Sequence, residues 1–215
     1  MSSRAPHVPV LTTLLAIVSG CGEPASPRTA GPVDDIRLLA FATYDGSGEV
    51  VHPDEAGVPA SWGGGALRRM AITPSRGGDA RFENPSLFAG RAGTAWWLEP
   101  GAPNPVVMPA FGHLSDPDVV FDPDAGESGE LRLYYRLVAN ANRILLVRSA
   151  DGRSWSAPVE LFAGPNHTVV SPSVVRRGPA EWLMWTVDGE DGCTAPSSSV
   201  RLRRSVDGIG WSAPE

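Results

Sequence analysis

Acidic residues stand beside proline at two places, each the start of a candidate strand. One is His52-Pro53-Asp54; the other is Ser115-Asp116-Pro117-Asp118, which leads into Val119-Val120-Phe121. A carboxyl at the start of each of two neighbouring strands would bring Asp54 and Asp116 toward one another. Such a pair can divide acid and base roles, because burial and like charge raise the pKa of one member. Glu83, in Arg81-Phe82-Glu83-Asn84-Pro85 ahead of a further strand, is a third candidate. His52, His113 and His167 each lie just upstream of an apparent strand and carry donors for a polar ligand. Tyr44 and Trp62 offer flat faces, although packing is the commoner use of an aromatic. An Asp beside Pro also serves simply as a turn cap. Asp118, Asp122 and Asp124 lack the glycine and distal glutamate of a calcium loop and read as a polar turn. With no second Cys or His at ligand spacing, neither a metal nor a cofactor is expected.

The elements that must position these residues repeat. Ser115–Pro158 and Ser171–Pro214 follow one plan: Ser115 and Ser171, Ser149 and Ser205, and Trp155 and Trp211 are each 56 residues apart. Each unit opens on a Pro-marked turn and a short apolar run. It continues through an aromatic segment and closes on Ser-x-Asp-Gly-x-x-Trp-Ser-Ala-Pro. The segments are short, rich in Val, Leu, Tyr and Trp, and bounded by Gly, Pro and Asp, which is the grammar of strands. In the closing turn the Asp side chain bonds backbone amides and the Gly supplies positive φ. Three or four strands per period suit a propeller blade. A worn first unit precedes the two clear ones, with strands expected at Asp35–Tyr44, Leu67–Thr73 and Ser86–Ala89 and a closing segment around Trp97.

The chain begins differently. Val10–Val18 is an apolar run too short to span a bilayer, followed by Ser19-Gly20-Cys21. Small residues before a Cys at the end of such a run resemble the bacterial lipoprotein signal. That resemblance implies cleavage before Cys21, a lipid on Cys21 as the membrane anchor, and an exported, envelope-attached protein. Residues 22–34 have the composition of a tether. Acylation of Cys21 would leave Cys193 unpaired. The 215 residues carry a net charge of −6, and every basic residue is Arg. Without a basic patch interleaved with aromatics, nucleic acid is not expected as a partner.

Taken in order, His-Pro-Asp at 52–54, Ser-Asp-Pro-Asp at 115–118, Ser-Pro-Ser-Val-Val at 171–175 and the repeated Ser-x-Asp-Gly-x-x-Trp resemble the five-bladed β-propellers of the family 43 and family 32 glycoside hydrolases. The resemblance covers about residues 36–215. It implies an all-β chain with about three of five blades (about 35–106, 107–162 and 163–215), and hence a C-terminally incomplete propeller. It also implies a carbohydrate partner. By the same resemblance Asp54 is the base or nucleophile of the first blade and Asp116 the orienting acid of the second. From their own positions ahead of the strands, His52, Glu83, His113 and His167 are expected to bind substrate at the channel mouth, with Glu83 also a candidate for the acid. The third acidic position falls on Ser171-Pro172-Ser173, where no carboxylate stands. Hydrolysis of carbohydrate and non-catalytic binding of carbohydrate or protein therefore both remain open, as does a non-functional fragment.

Overall fold

The computed structural model describes residues 39–62, 65–91, 95–189 and 198–215. The export segment with Cys21 and the loop carrying Cys193 lie outside the described residues. Eleven strands form three antiparallel sheets, and no α-helix occurs among the described residues. The first sheet joins β1 (Val50–Gly57), β2 (Arg68–Pro74), β3 (Ser86–Arg91) and β4 (Ala95–Trp97) in chain order. The second joins β5 (His113–Asp122), β6 (Glu130–Val138), β7 (Asn142–Ser149) and β8 (Val159–Gly164). The third joins β9 (Val170–Gly178), β10 (Glu181–Asp188) and β11 (Ser199–Ser205). In the third sheet Glu215 exchanges backbone hydrogen bonds with Leu202, at 2.8 and 3.3 Å, in the register by which Val159 opens β8 opposite Leu146.

Successive residues of a strand point to opposite faces, and the sheets pack face to face through the apolar ones, so β2, β3 and β6 are buried at consecutive positions. Ala56, Ala71 and Leu87 of the first sheet meet Val119, Leu131, Leu133, Tyr135 and Val147 of the second. Tyr134, Ile144 and Leu146 on the other face of that sheet meet Val174, Trp182 and Met184 of the third. The first strands β1, β5 and β9 lie side by side, as the inner strands of propeller blades do.

The closing turns take the expected form twice. Asp151 Oδ1 accepts from the amides of Arg153 and Ser154, each at 2.7 Å, and from Ser149 Oγ, while Gly152 N donates to Ser149 Oγ at 2.8 Å. Asp207 does the same with Ile209, Gly210 and Ser205, and Gly208 N donates to Ser205 Oγ at 2.8 Å. Both glycines have φ of +73°, a conformation that costs them nothing. A buried arginine of the preceding blade lies under each turn: Arg69 beneath Gly152, and Arg132 beneath Gly208, where it donates to Asp207 O.

Two expectations for the first unit fail. The described part of Asp35–Tyr44 is not a strand: Asp45-Gly46-Ser47-Gly48 folds into a turn held by Asp45 Oδ1. Phe41 instead packs edge-on against Phe88, with ring centroids 5.1 Å apart. Trp97 is not the counterpart of Trp155 and Trp211. It belongs to β4, opposite Ala89, whereas Trp155 precedes its fourth strand.

Candidate functional site

Each inner strand carries a one-residue bulge at its proline. Three steps along β1, from Val51 to Asp54, span two along β2; the same slip occurs between Ser115 and Asp118 and between Val170 and Ser173. Proline has no N–H for the ladder, and an extra residue takes up the mismatch. The residue before each proline is left-handed: His52 and Asp116 at φ +51°, Ser171 at +50°. That conformation is costly for a residue with a side chain, and doubly so before proline. The bulges correct the sequence alignment. Asp116 is the counterpart of His52 and Ser171, while Asp54 is the counterpart of Asp118 and Ser173.

The three left-handed residues form a chain across the inner strands. His52 Nε2 lies 3.2 Å from Asp116 Oδ1, and Ser171 N donates to Asp116 Oδ2 at 3.2 Å. Arg136 of β6 places Nε 3.1 Å from the same Oδ2. Ser115 Oγ lies 3.2 Å from Asp116 Oδ1 and donates to Glu83 Oε2 at 2.6 Å, and Glu83 Oε2 is 4.0 Å from His52 Nδ1. Thr73 Oγ1 is 3.2 Å from that same nitrogen. Asp116 is 6% exposed, Glu83 14% and His52 27%, so the cluster opens outward through the imidazole. Glu83 follows a short 3-10 turn, Ala80–Phe82, capped by Asp79. Tyr44 and Asn84 brace that turn: Asn84 Nδ2 donates to Tyr44 OH, which donates to Phe82 O, both at 2.7 Å.

Asp116 has both oxygens engaged and so fixes the orientation of His52, Arg136 and the Ser171 amide. Asp54 has a different setting. Its Oδ2 accepts from Val119 N at 2.7 Å, tying β1 to β5, and burial pushes its pKa up to about 6 against that hydrogen bond. A carboxyl of this pKa exchanges protons near neutral pH. Asp118 ties β5 to β9 in the same way, through Val174 N at 3.1 Å. It is therefore a buried strand residue and not part of a turn. Asp122, also buried, lies between Arg132 and Arg176.

The structure thus brings His52, Glu83 and Asp116 together and sets the other candidates apart. Asp54 points between blades rather than into the cluster. His113 starts β5 opposite Val138, with Asp79 as its charged neighbour. His167 is exposed in the loop before β9, where its carbonyl accepts from Gly189 N. Trp62 packs: it meets Phe121 edge-on and donates to Ser128 O at 2.8 Å. Sequence reasoning missed Ser115, Arg136 and the Ser171 amide. Two arginines inside the apolar segment Leu131–Leu137, Arg132 and Arg136, are the one signal that bore on the second of these, without saying which of them meets Asp116. Among the described residues no three His, Cys, Asp or Glu side chains are arranged to hold a metal ion.

Three antiparallel sheets with adjacent, equally bulged first strands settle the architecture. The chain has a β-propeller fold. Solved structures share it. An N-acetylgalactosamine deacetylase from F. plautii, in complex with blood group B trisaccharide, superposes with a TM-score of 0.69 at 21% identity, over 83% of this chain and 56% of that one. The GH93 α-L-arabinofuranosidase of Fusarium graminearum, with arabinobiose, gives 0.53 at 14% identity, over 82% and 50%. The α-L-arabinanase of Penicillium chrysogenum, with arabinobiose, gives 0.52 at 14% identity, over 77% and 48%. The chain spans about half the length of these structures. No protein-family model matches it, and no curated protein matches it.

Proposed function

We propose that this chain is the blade-bearing part of an exported propeller that binds carbohydrate. Its saccharide site is the bulge cluster of His52, Glu83 and Asp116, with His113 and His167 at the margin and Cys21 as the lipid-bearing anchor residue. The observation that carries this reading is the chain of contacts His52–Asp116–Ser171 across three inner strands. Convergent donors and acceptors fixed by strand backbones are what a polyhydroxylated ligand needs. The saccharides held by the similar structures support the ligand class. The family 43 and 32 resemblance belongs to the same reading.

Hydrolysis is the second reading. Glycoside cleavage needs one carboxyl as acid and one as base or nucleophile. Asp54, with a pKa of about 6, favours it; Ser171 and Ser173 at the third acidic place count against it. Calorimetric titration with arabinobiose and with blood group B trisaccharide, alongside assays for released sugar, tests both readings. Saturable binding that Asp116→Asn weakens at least tenfold supports the site. Sugar release abolished by Asp54→Asn would raise hydrolysis above simple binding, and no binding of either saccharide contradicts the proposal.

A further inference from the structure

Two residues beyond His52 and Asp116, across a proline, stand Asp54 and Asp118. Each reaches out of its own blade to accept a backbone N–H of the next inner strand: Asp54 from Val119 and Asp118 from Val174. Asp118 is 7% exposed, and its second oxygen is buried with no hydrogen-bond partner. A buried carboxylate oxygen without a donor is expensive, and a second carboxylate nearby makes it more so. We propose that Asp54 and Asp118 are positioning residues that carry a single proton between them at neutral pH, and that this proton holds the three inner strands, and the bulge cluster strung across them, in register.

The charges around the pair are consistent with this. Burial raises the pKa of both, and the Asp54 charge raises that of Asp118 further. From β6, the Tyr134 phenol is pushed up by burial and faces both Asp118 and the Arg132–Asp122 ion pair. Arg132 is already bound to Asp122, Glu130 and Asp207 O. From β9 the facing group is the Val174 amide. Upstream, Arg136 and His52 are engaged by Asp116. A proton is the remaining way to relieve the pair.

A carboxyl whose pKa is higher folded than unfolded takes up a proton on folding. Its contribution is complete below the unfolded value of about 4 and is lost as pH rises through the folded value. For Asp54 that window closes at about 6, and for Asp118 it extends upward. The test is the thermal midpoint of the full chain at about pH 5 and about pH 8, for wild type, Asp54→Asn and Asp118→Asn. Asn keeps the acceptor and cannot ionise. The wild-type midpoint is expected to fall by several degrees across this range, and the fall should shrink by at least half in either variant. Parallel profiles in all three proteins overturn the proposal. Infrared spectroscopy of the wild type adds a measurement that no variant has to survive: a protonated carboxyl band should persist at neutral pH, and its absence also overturns the proposal. Neither experiment involves a ligand, so failure here leaves the saccharide reading standing, and failure of that reading leaves this one.

Discussion

Asp151 and Asp207 close their turns with the same hydrogen bonds, each over a buried arginine of the preceding blade, whereas His52, Asp116 and Ser171 share only a backbone conformation. The two sets lie at opposite ends of the blades, since β5 runs from the bulge at Asp116 toward Asp122 and β6 returns. At the closing-turn end the side chain makes the feature: remove the Asp and the amides lose their acceptor. At the bulge end proline and the neighbouring strand make it, and the side chain is free to differ. Three left-handed residues with side chains cost on the order of 1–3 kcal/mol each. A strained backbone that repeats while its side chain changes marks a place where side chains serve something other than the fold.

Variants at the two ends should behave differently, and the largest effect belongs to the closing-turn end. Asp122→Ala leaves Arg132 and Arg176 without their shared buried carboxylate. Chemical denaturation should show a loss of about 3–5 kcal/mol; a loss under about 1 kcal/mol would mean that this end is not held by its ion pairs. Next come Asp151→Ala and Asp207→Ala, each expected to cost about 1–2 kcal/mol. The two losses should agree closely, because the turns are copies, and saccharide binding should not change. The pKa of both carboxyls is lowered, chiefly through backbone hydrogen bonds in Asp207 and through these working against burial in Asp151. Their contribution is therefore present above about pH 4 and is lost as pH falls below it. The wild-type melt should weaken in acid there, and the double alanine variant should weaken less. The smallest effect is at the bulge end, where Ser171→Gly relieves a left-handed residue. It should raise stability by about 1 kcal/mol. A loss of stability would show that the bulge conformation is not strained, and the contrast between the ends would fail.

In the second and third units the strands and closing turns were legible in the sequence because their chemistry is contiguous: Ser, Asp, Gly and Trp at fixed offsets specify the turn locally, and the first unit, which lacks that set, was misread at Asp35–Tyr44 and Trp97. The alignment of the acids was not legible. Ser115 and Ser171 match as letters at the closing-turn period, 56 residues apart, but the bulge geometry pairs Ser171 with Asp116, one residue closer. Loops between the repeated parts absorb single residues, so a period measured at one end of a blade does not carry to the other. Between the first two units the offset is two residues: Asp54 and Asp116, 62 apart, looked like equivalents, whereas the bulges pair His52 with Asp116, 64 apart. Arg136 stood out as a charge in an apolar segment, but its partner was out of reach for another reason. Its meeting with Asp116 follows from the β5–β6 register that sets it opposite Ser115, and register is a long-range property. The Ser171 contact is made by a backbone amide, which no side-chain pattern announces.

Under the proposed function the ligand sits at the bulge end and not at the closing-turn end. Calorimetric titration of Asp116→Asn and Asp207→Asn, side by side with wild type, against arabinobiose and blood group B trisaccharide tests it most directly, once cooperative melts have shown both variants folded. At least a tenfold loss of affinity is expected in Asp116→Asn, with wild-type affinity in Asp207→Asn. Equal affinities in all three proteins, or a loss confined to Asp207→Asn, would contradict it.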